Sequence, residues 1–175
     1  MSCIPNSFLP ANFFQLNFPK IADTTLYIQK TKLPSISLGV TPIGTPFSTM
    51  KEPGVNLTYD NFTCQFVLDE EFEGYLAVYE WMKGLGFPES FDQYKDLKNS
   101  DTSRENLITD AALIVHNASG NAKMQFEFKN IFPIFLGDVD FDVTITNAEP
   151  ILVPVVFAYD YFKPVRLWLY SSILY

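Results

Sequence analysis

Alternation of apolar and polar residues recurs along most of the chain and predicts a protein built mainly from β-strands. The clearest case is 123–129, Lys-Met-Gln-Phe-Glu-Phe-Lys, in which every second residue is apolar. The strand pattern is antiparallel in character, because short turn-forming segments such as 117–121 separate its members. The predicted strands are 12–18 and 24–29, expected to pair as a hairpin, and then 61–68, 111–116, 123–129, 138–146 and 151–162.

One segment, 69–83, has the spacing of a helix. Asp69 is a suitable N-cap, three glutamates follow it closely, and Lys83 followed by glycine is a suitable end. Trp81 lies off the main apolar stripe and is expected to face a different surface, where it is a candidate for a subunit contact. The stripe itself recurs every three or four positions and is expected to pack on the sheet: Phe72, Leu76, Tyr79 and Met82.

Residues 33–55 interrupt the strand pattern. The segment contains four prolines and three glycines, so it is expected to be a long irregular loop of roughly 20 residues. Because it also carries Ile, Val and Phe, we favour a loop that contacts a neighbouring subunit over a disordered one. Its candidate interface residues are Phe47 and Met50.

The length of 175 residues suits one domain, expected over 1–162, with its last strand ending at Phe162. The remaining segment, 163–175, is apolar, although chain ends are usually polar. Aromatic residues make up 16% of the chain, which favours an oligomer that buries some of them between subunits. The terminal segment is expected to dock on an adjacent subunit or ring through Trp168, Leu169, Tyr170, Leu174 and Tyr175.

The residue types offer little chemistry. His116 is the single histidine, and Cys3 and Cys64 are far apart, so neither a zinc site nor a nucleophile–base pair is expected. The acidic residues of 138–142 are interpreted as the outward face of a strand, with a calcium or magnesium site as the alternative. No catalytic, metal or cofactor-binding residue is predicted, and an enzyme is the least favoured function class.

Charge and hydropathy limit the partners. The formal net charge is −8 and the 12 Lys and Arg residues are scattered, so specific nucleic-acid binding is not expected. No segment approaches the ~20 apolar residues that cross a bilayer, and the first residues lack the pattern of a signal peptide. We therefore expect no membrane partner and synthesis in a reducing cytoplasm.

Several segments, taken in order, resemble the tail-tube superfamily of contractile-tailed bacteriophages, most closely the tail tube terminators, or tail completion proteins, of T-even-like phages. Three stretches carry the resemblance: Pro53-Gly-Val-Asn-Leu-Thr-Tyr-Asp60, Phe66-Val-Leu-Asp-Glu-Glu71 and Tyr79-Glu-Trp-Met82. The later stretches 128–142 and 156–162 resemble the closing strands. The resemblance implies a β-sandwich or small barrel with one flanking helix, assembled as a ring of six.

The same resemblance implies a structural virion protein. Its ring would cap the tail tube, stop tube growth and join the tail to the neck or head connector. The implied partners are further copies in a homohexameric ring, the tail tube protein, and neck or sheath-terminator ring proteins. DNA would pass through the bore without specific binding, and no cofactor is implied. The expected location is the top of the virion tail near the neck, after synthesis in the host cell cytoplasm.

Two alternatives remain open. Within the same superfamily, the chain could be the major tail tube subunit or the baseplate tube initiator, although the block 53–82 resembles the terminators most. A different class is a ligand-binding β-sandwich, in which Trp81 and Trp168 would stack on a sugar or another ligand.

Overall fold

The computed structural model describes residues 9, 12–19, 27–86, 88, 108–144 and 150–167. Within these residues the chain is mainly β, with a single helix, so the predicted fold class is confirmed. The elements are β1 (Phe14–Asn17), β2 (Ile28–Lys32), β3 (Ile36–Gly44), β4 (Thr49–Tyr59), β5 (Phe62–Val67), α1 (Glu73–Gly86), β6 (Thr109–His116), β7 (Ala122–Leu136), β8 (Leu152–Ala158) and β9 (Tyr161–Arg166).

The body consists of two antiparallel sheets that share the long strand β7. The first half of β7 pairs with β6 and β9, and its second half pairs with β8. The sheet path runs β1-β6-β7-β8-β5-β2, with β9 also on β7. Because β1 and β2 lie at opposite ends of this path, the predicted hairpin between them is wrong. Each strand instead pairs with a partner distant in sequence, β6 or β5.

A polar brace holds the point at which β7 passes from one sheet to the other. Asn130 lies there with a φ of 57°, in the left-handed region that asparagine tolerates better than most residues. Asp110 accepts a hydrogen bond from Lys129 Nζ at 2.6 Å and another from the backbone N–H of Asn130 at 3.2 Å. The side-chain amide of Asn130 donates to Asp160 on the other side. These contacts fix the change of partners along β7.

The brace predicts a specific acid sensitivity. Burial works against ionisation of Asp110, but the hydrogen bonds from Lys129 and the Asn130 N–H outweigh it and lower the carboxyl pKa. The charged form therefore stabilises the fold above the ordinary carboxyl range, about pH 4, and this contribution is lost as the pH falls through the folded-state value. Asp110→Asn should remove at most about 1 kcal/mol at neutral pH, because the pair is exposed, and almost nothing at pH ~2. Urea unfolding of the wild type and the variant across this pH range measures the difference in unfolding free energy. A difference that does not change with pH would contradict the prediction.

The core between the sheets is aromatic. The Phe62 ring lies 4.6 Å from that of Phe128, which joins β5 to β7 across the interior. The ring centres of Phe157 and Phe18 lie 5.0 Å apart, so β8 also contacts the chain just after β1. The alternating strands β5 and β8 bury every second side chain, namely Phe62, Cys64, Phe66, Val153, Val155 and Phe157.

The helix packs on the sheet through a different face from the predicted one. Leu76 and Tyr79 are 48% and 46% exposed, so the middle of the predicted apolar stripe does not face the core, although Met82 at its end packs against it. The indole of Trp81 faces the core instead. It is only 3% exposed, and its ring centre lies 6.3 Å from that of Phe157. The buried face consists of Gly74, Val78, Trp81 and Gly84.

The helix and the last strand also have ends that differ from the predicted ones. Phe72 has a φ of 58°, and its N–H bonds to the Asp69 carbonyl in a turn, so α1 begins at Glu73 and not at Asp69. The last strand does not end at Phe162. β9 continues to Arg166, because an edge strand tolerates Pro164.

Candidate assembly surface

The segment predicted as an irregular loop is a β-hairpin. β3 and β4 pair antiparallel from Ile36 with Tyr59 to Gly44 with Thr49, and they form a separate two-stranded sheet. The prolines are compatible with this pairing, since each strand has only one partner and an unpaired edge on which a missing N–H costs nothing. The expectation of a long irregular loop over 33–55 is therefore wrong in its local structure.

Both faces of the β3–β4 hairpin are open. All nine residues of β3 are exposed, including four with large apolar side chains. Isolated two-stranded hairpins are marginal in water, and exposed apolar patches of this kind mark interaction sites. The hairpin is therefore the leading candidate for a docking element. Its exposed apolar side chains are Ile36, Leu38, Val40, Ile43, Phe47, Met50, Val55 and Leu57.

The tip of the hairpin presents one aromatic ring. Phe47 is 99% exposed, in a short turn that begins after Gly44. The Thr45 N–H donates to the Ser48 carbonyl at 3.0 Å, and the Ser48 N–H donates to Thr45 Oγ1 at 3.2 Å. The Thr45 hydroxyl also donates to the Ser48 carbonyl. These bonds close the turn and fix the backbone that carries Phe47.

The base of the hairpin packs on aromatic rings of the body and is closed by hydrogen bonds between its own two ends. The Tyr59 ring lies 6.2 Å from Tyr159 and 5.6 Å from Phe162 in edge-on contacts. The Asp60 N–H donates to the Ser35 carbonyl at 3.1 Å, and the Ser35 hydroxyl donates to the Asp60 carboxylate. Burial raises the pKa of Tyr159 to about 12, with further contributions from Asp60 and Tyr59. The hairpin thus projects from an aromatic contact with the body, beside the Asp60 carboxylate.

Midway along the hairpin the two strands approach very closely at a pair of glycines. The pairing register shifts between Leu38 and Val40. A Cβ added to Gly54 would lie 2.7 Å from the carbonyl oxygen of Gly39, closer than real contacts allow. This close approach requires glycine at position 54.

Gly54→Ala is therefore expected to distort the hairpin without unfolding the body. The added methyl group would force the two backbones apart at the register shift, and the tip would change its direction. Gly39→Ala is the matched control, because a Cβ there meets its nearest atom, the Asn56 carbonyl oxygen, at an ordinary 3.5 Å. Amide exchange along β3 and β4 should rise in the first variant only, and equal exchange in both would contradict the expectation.

Three strands of the body, β1, β2 and β9, have an open edge within the described residues. β1 pairs with β6, and β9 pairs with β7, so these strands flank the four-stranded sheet β1-β6-β7-β9. Unpaired N–H and C=O groups on such edges favour the addition of a strand from another chain. A chain with two open edges on one sheet is able to extend that sheet in both directions.

The predicted interface residues fall into three groups in the structure: exposed, buried and not described. Phe47 and Met50 lie on the exposed hairpin, at 99% and 59% exposure. Trp81 is a core residue and not an interface candidate, because the buried face of α1 is built around its indole. The remaining predicted residues lie outside the described part of the chain: Trp168, Leu169, Tyr170, Leu174 and Tyr175.

Sequence reasoning missed most of the apolar residues of the hairpin. The available signal was the two-residue spacing of Ile36, Leu38 and Val40, and of Val55, Leu57 and Tyr59. The frequent prolines and glycines between them obscured this spacing.

The described residues hold no evident chemical centre. No group of three or more His, Cys, Asp or Glu is placed among them to hold a metal ion, and no helix there is long and apolar enough to cross a membrane. Burial raises the pKa of Cys64 to about 12, which keeps its thiol protonated. The strand predicted over 138–146 is wrong where described, because the Asp142 carboxylate accepts hydrogen bonds from the Thr144 N–H and hydroxyl in a turn.

Comparison with known proteins finds one similar curated sequence and several similar solved structures. No family model matches the chain. A curated relative, the tail tube terminator protein of Enterobacteria phage T4, is 27% identical over 143 residues, which cover 79% of this chain and 77% of that protein. The resemblance to the phage tail tube terminators is confirmed.

Solved structures agree on the tail-tube fold. The anti-feeding prophage tube-terminating cap superposes with a TM-score of 0.61 at 14% identity, covering 95% of this chain and 96% of that one. A chain from the PVC sheath/tube terminator of an extracellular contractile injection system gives a TM-score of 0.60 at 16% identity, covering 93% and 99%. At such identities the likeness establishes the fold alone.

Proposed function

We propose that the chain is a structural protein that caps a phage tail tube as a ring, ends tube growth and joins the tail to the neck or head connector. The observation that carries this proposal is the 27% identity to a tail tube terminator across 79% of the chain. The role is purely geometric, and no catalytic step belongs to it.

We propose that six copies form the ring, as in the superfamily that the chain resembles. The open edges of β1 and β9 support this arrangement, since they lie on opposite sides of one sheet. Contacts between two different surfaces of identical chains generate closed rings when the rotation closes. The β3–β4 hairpin adds a second contact, because its exposed apolar residues need a neighbouring subunit or ring to cover them.

Termination follows from the stacking of unlike surfaces. A tube grows because the top of each ring complements the bottom of the next ring. A terminator ring binds the top of the tube through one surface and presents a different surface upward, so that no further tube ring adds. That upper surface receives the neck or sheath-terminator ring, which places the chain at the top of the tail. DNA passes through the bore, and the net charge of −8 disfavours its retention there.

The decisive experiment mixes the purified chain with the tail tube protein of a T-even-like phage. Negative-stain microscopy should show rings, shorter tubes than in the unmixed sample, and the chain at one tube end only. Long tubes grown from the chain alone would identify a tube subunit instead. A monodisperse monomer that leaves tube length unchanged would overturn the proposal.

The C-terminal segment has its own test. Because β9 extends to Arg166, a stop codon after Leu167 removes the apolar tail without cutting the strand. We expect the shortened chain to keep its thermal midpoint and to lose ring formation or neck attachment, since apolar tails of this kind are buried by partners. A lowered midpoint, measured by circular dichroism, would show that the tail packs on its own domain.

A further inference from the structure

The two ends of the sheet path lie side by side without pairing, and a cavity opens between them. β1 and β2 are the terminal strands of the path, yet residues of both line a single cavity of about 480 Å³. The sheet therefore curls almost into a barrel and leaves an unclosed seam. We call this seam the edge cavity. Its apolar lining comes from Phe14, Leu16, Tyr27, Ile28 and Val67.

The edge cavity is suited to an aromatic side chain. A cavity of ~150 Å³ lined by Leu, Ile and Phe is large enough for benzene, and the edge cavity has about three times that volume. Gln15 and Gln29 also line it and supply polar groups at the two strands. The Val67 N–H donates to the Tyr27 carbonyl at 2.8 Å, which fixes one wall of the cavity.

The same chain carries a matching aromatic side chain elsewhere. Phe47 is 99% exposed at the tip of the β3–β4 hairpin, so it does not fill the edge cavity of its own chain. β4 has 11 residues and spans about 35 Å, which is long enough to carry the tip beyond the body. The hydrogen bonds between Thr45 and Ser48 order the backbone of the turn, which lowers the backbone entropy that docking would cost.

We propose that Phe47 of one copy inserts into the edge cavity of an adjacent copy and is the anchor of the ring interface. The knob and the hole are different surfaces of one chain, which is the heterologous arrangement that builds rings. A rigid aromatic side chain in an apolar pocket is also the usual form of an interface hot spot. The inference rests on the ring of the proposed function and names the contact that closes it.

Photo-crosslinking in the full chain tests the contact directly. p-Benzoylphenylalanine replaces Phe47, and equal amounts of isotopically light and heavy chain are mixed before assembly and irradiation. Mass spectrometry should find light–heavy peptides that join position 47 to the strands of the edge cavity, β1, β2 or the end of β5. The control places the same probe at Val55, which is 97% exposed but lies away from the tip, and it should not label the cavity.

A compensating pair of substitutions provides the second readout. Phe47→Ala should weaken association between copies at least about 30-fold, the size of a 2 kcal/mol hot spot. Leu16→Trp fills the cavity and should block assembly with wild-type Phe47. Combining both changes should restore part of the association, measured by analytical ultracentrifugation.

The outcomes separate this inference from the proposed function. Rings that still cap tubes, but whose crosslinks from position 47 lie on α1, on the tube protein or within one chain, overturn the inference and leave the function standing. Crosslinks into the edge cavity of chains that form rings but leave tubes uncapped support the contact and overturn the function. If no crosslink between copies forms at any protein concentration, the inference is overturned.

Discussion

Trp81→Ala is expected to lower the free energy of unfolding by about 3–5 kcal/mol, the usual cost of truncating a buried Trp or Phe to alanine. The indole is 3% exposed and lies 6.3 Å from Phe157, at the contact between α1 and β8. Its removal leaves a cavity that cannot collapse, because the strands on one side are fixed by pairing to both neighbours. Urea unfolding of the full chain, followed by circular dichroism, measures the loss.

Leu76→Ala is the matched control on the same helix. Both substitutions introduce alanine, so their helix-propensity terms both favour the helix, and only the burial of the removed side chain differs greatly. Because Leu76 is 48% exposed, its truncation should cost less than about 1 kcal/mol. Equal costs for the two variants would mean that the helix packs through the stripe that contains Leu76.

Strands with alternating faces are those that the sequence predicted well. The first half of β7 packs Phe126 and Phe128 in or against the core and carries the half-buried Glu127 and Lys129 on its other face, so its alternation in sequence follows its two faces. The pairing of the strands was harder to predict. The β1–β2 hairpin was expected from closeness in sequence, whereas the actual partners β6 and β5 follow from packing over the whole core.

The hairpin and the helix face escaped prediction for two different physical reasons. β3 and β4 are exposed on both faces, so no burial pattern marks them, and Pro42 and Pro53 are typical of loops. On α1, spacing alone allowed two apolar faces. The structure buries the face that contains Val78 and the large indole of Trp81, which packs on Phe157, and periodicity does not encode this choice. The sequence therefore indicated the segment of the candidate surface, through Phe47 and Met50, but not its β-hairpin structure.

Shortening the β3–β4 hairpin is expected to abolish assembly and leave the body folded. Residues 39–56 are replaced by Asn-Gly, a sequence that favours a tight two-residue turn. The base contacts, Ile36 with Tyr59 and Asp60 with Ser35, are retained. Every residue of β3 is exposed, so the deletion removes little buried surface, and the thermal midpoint should change by only a few degrees.

Ring formation and tube capping by the shortened chain should fall below detection, because the deletion removes the tip and most of the exposed apolar side chains of the hairpin. Gly44→Ala is the control, since an added Cβ at Gly44 meets nothing within 4 Å and the hairpin stays intact. Light scattering after size exclusion measures the ring, and microscopy of mixed tubes measures capping. A shortened chain that unfolds would place the hairpin in the folding core. One that stays folded and still caps tubes would show that the open edges of β1 and β9 suffice for assembly.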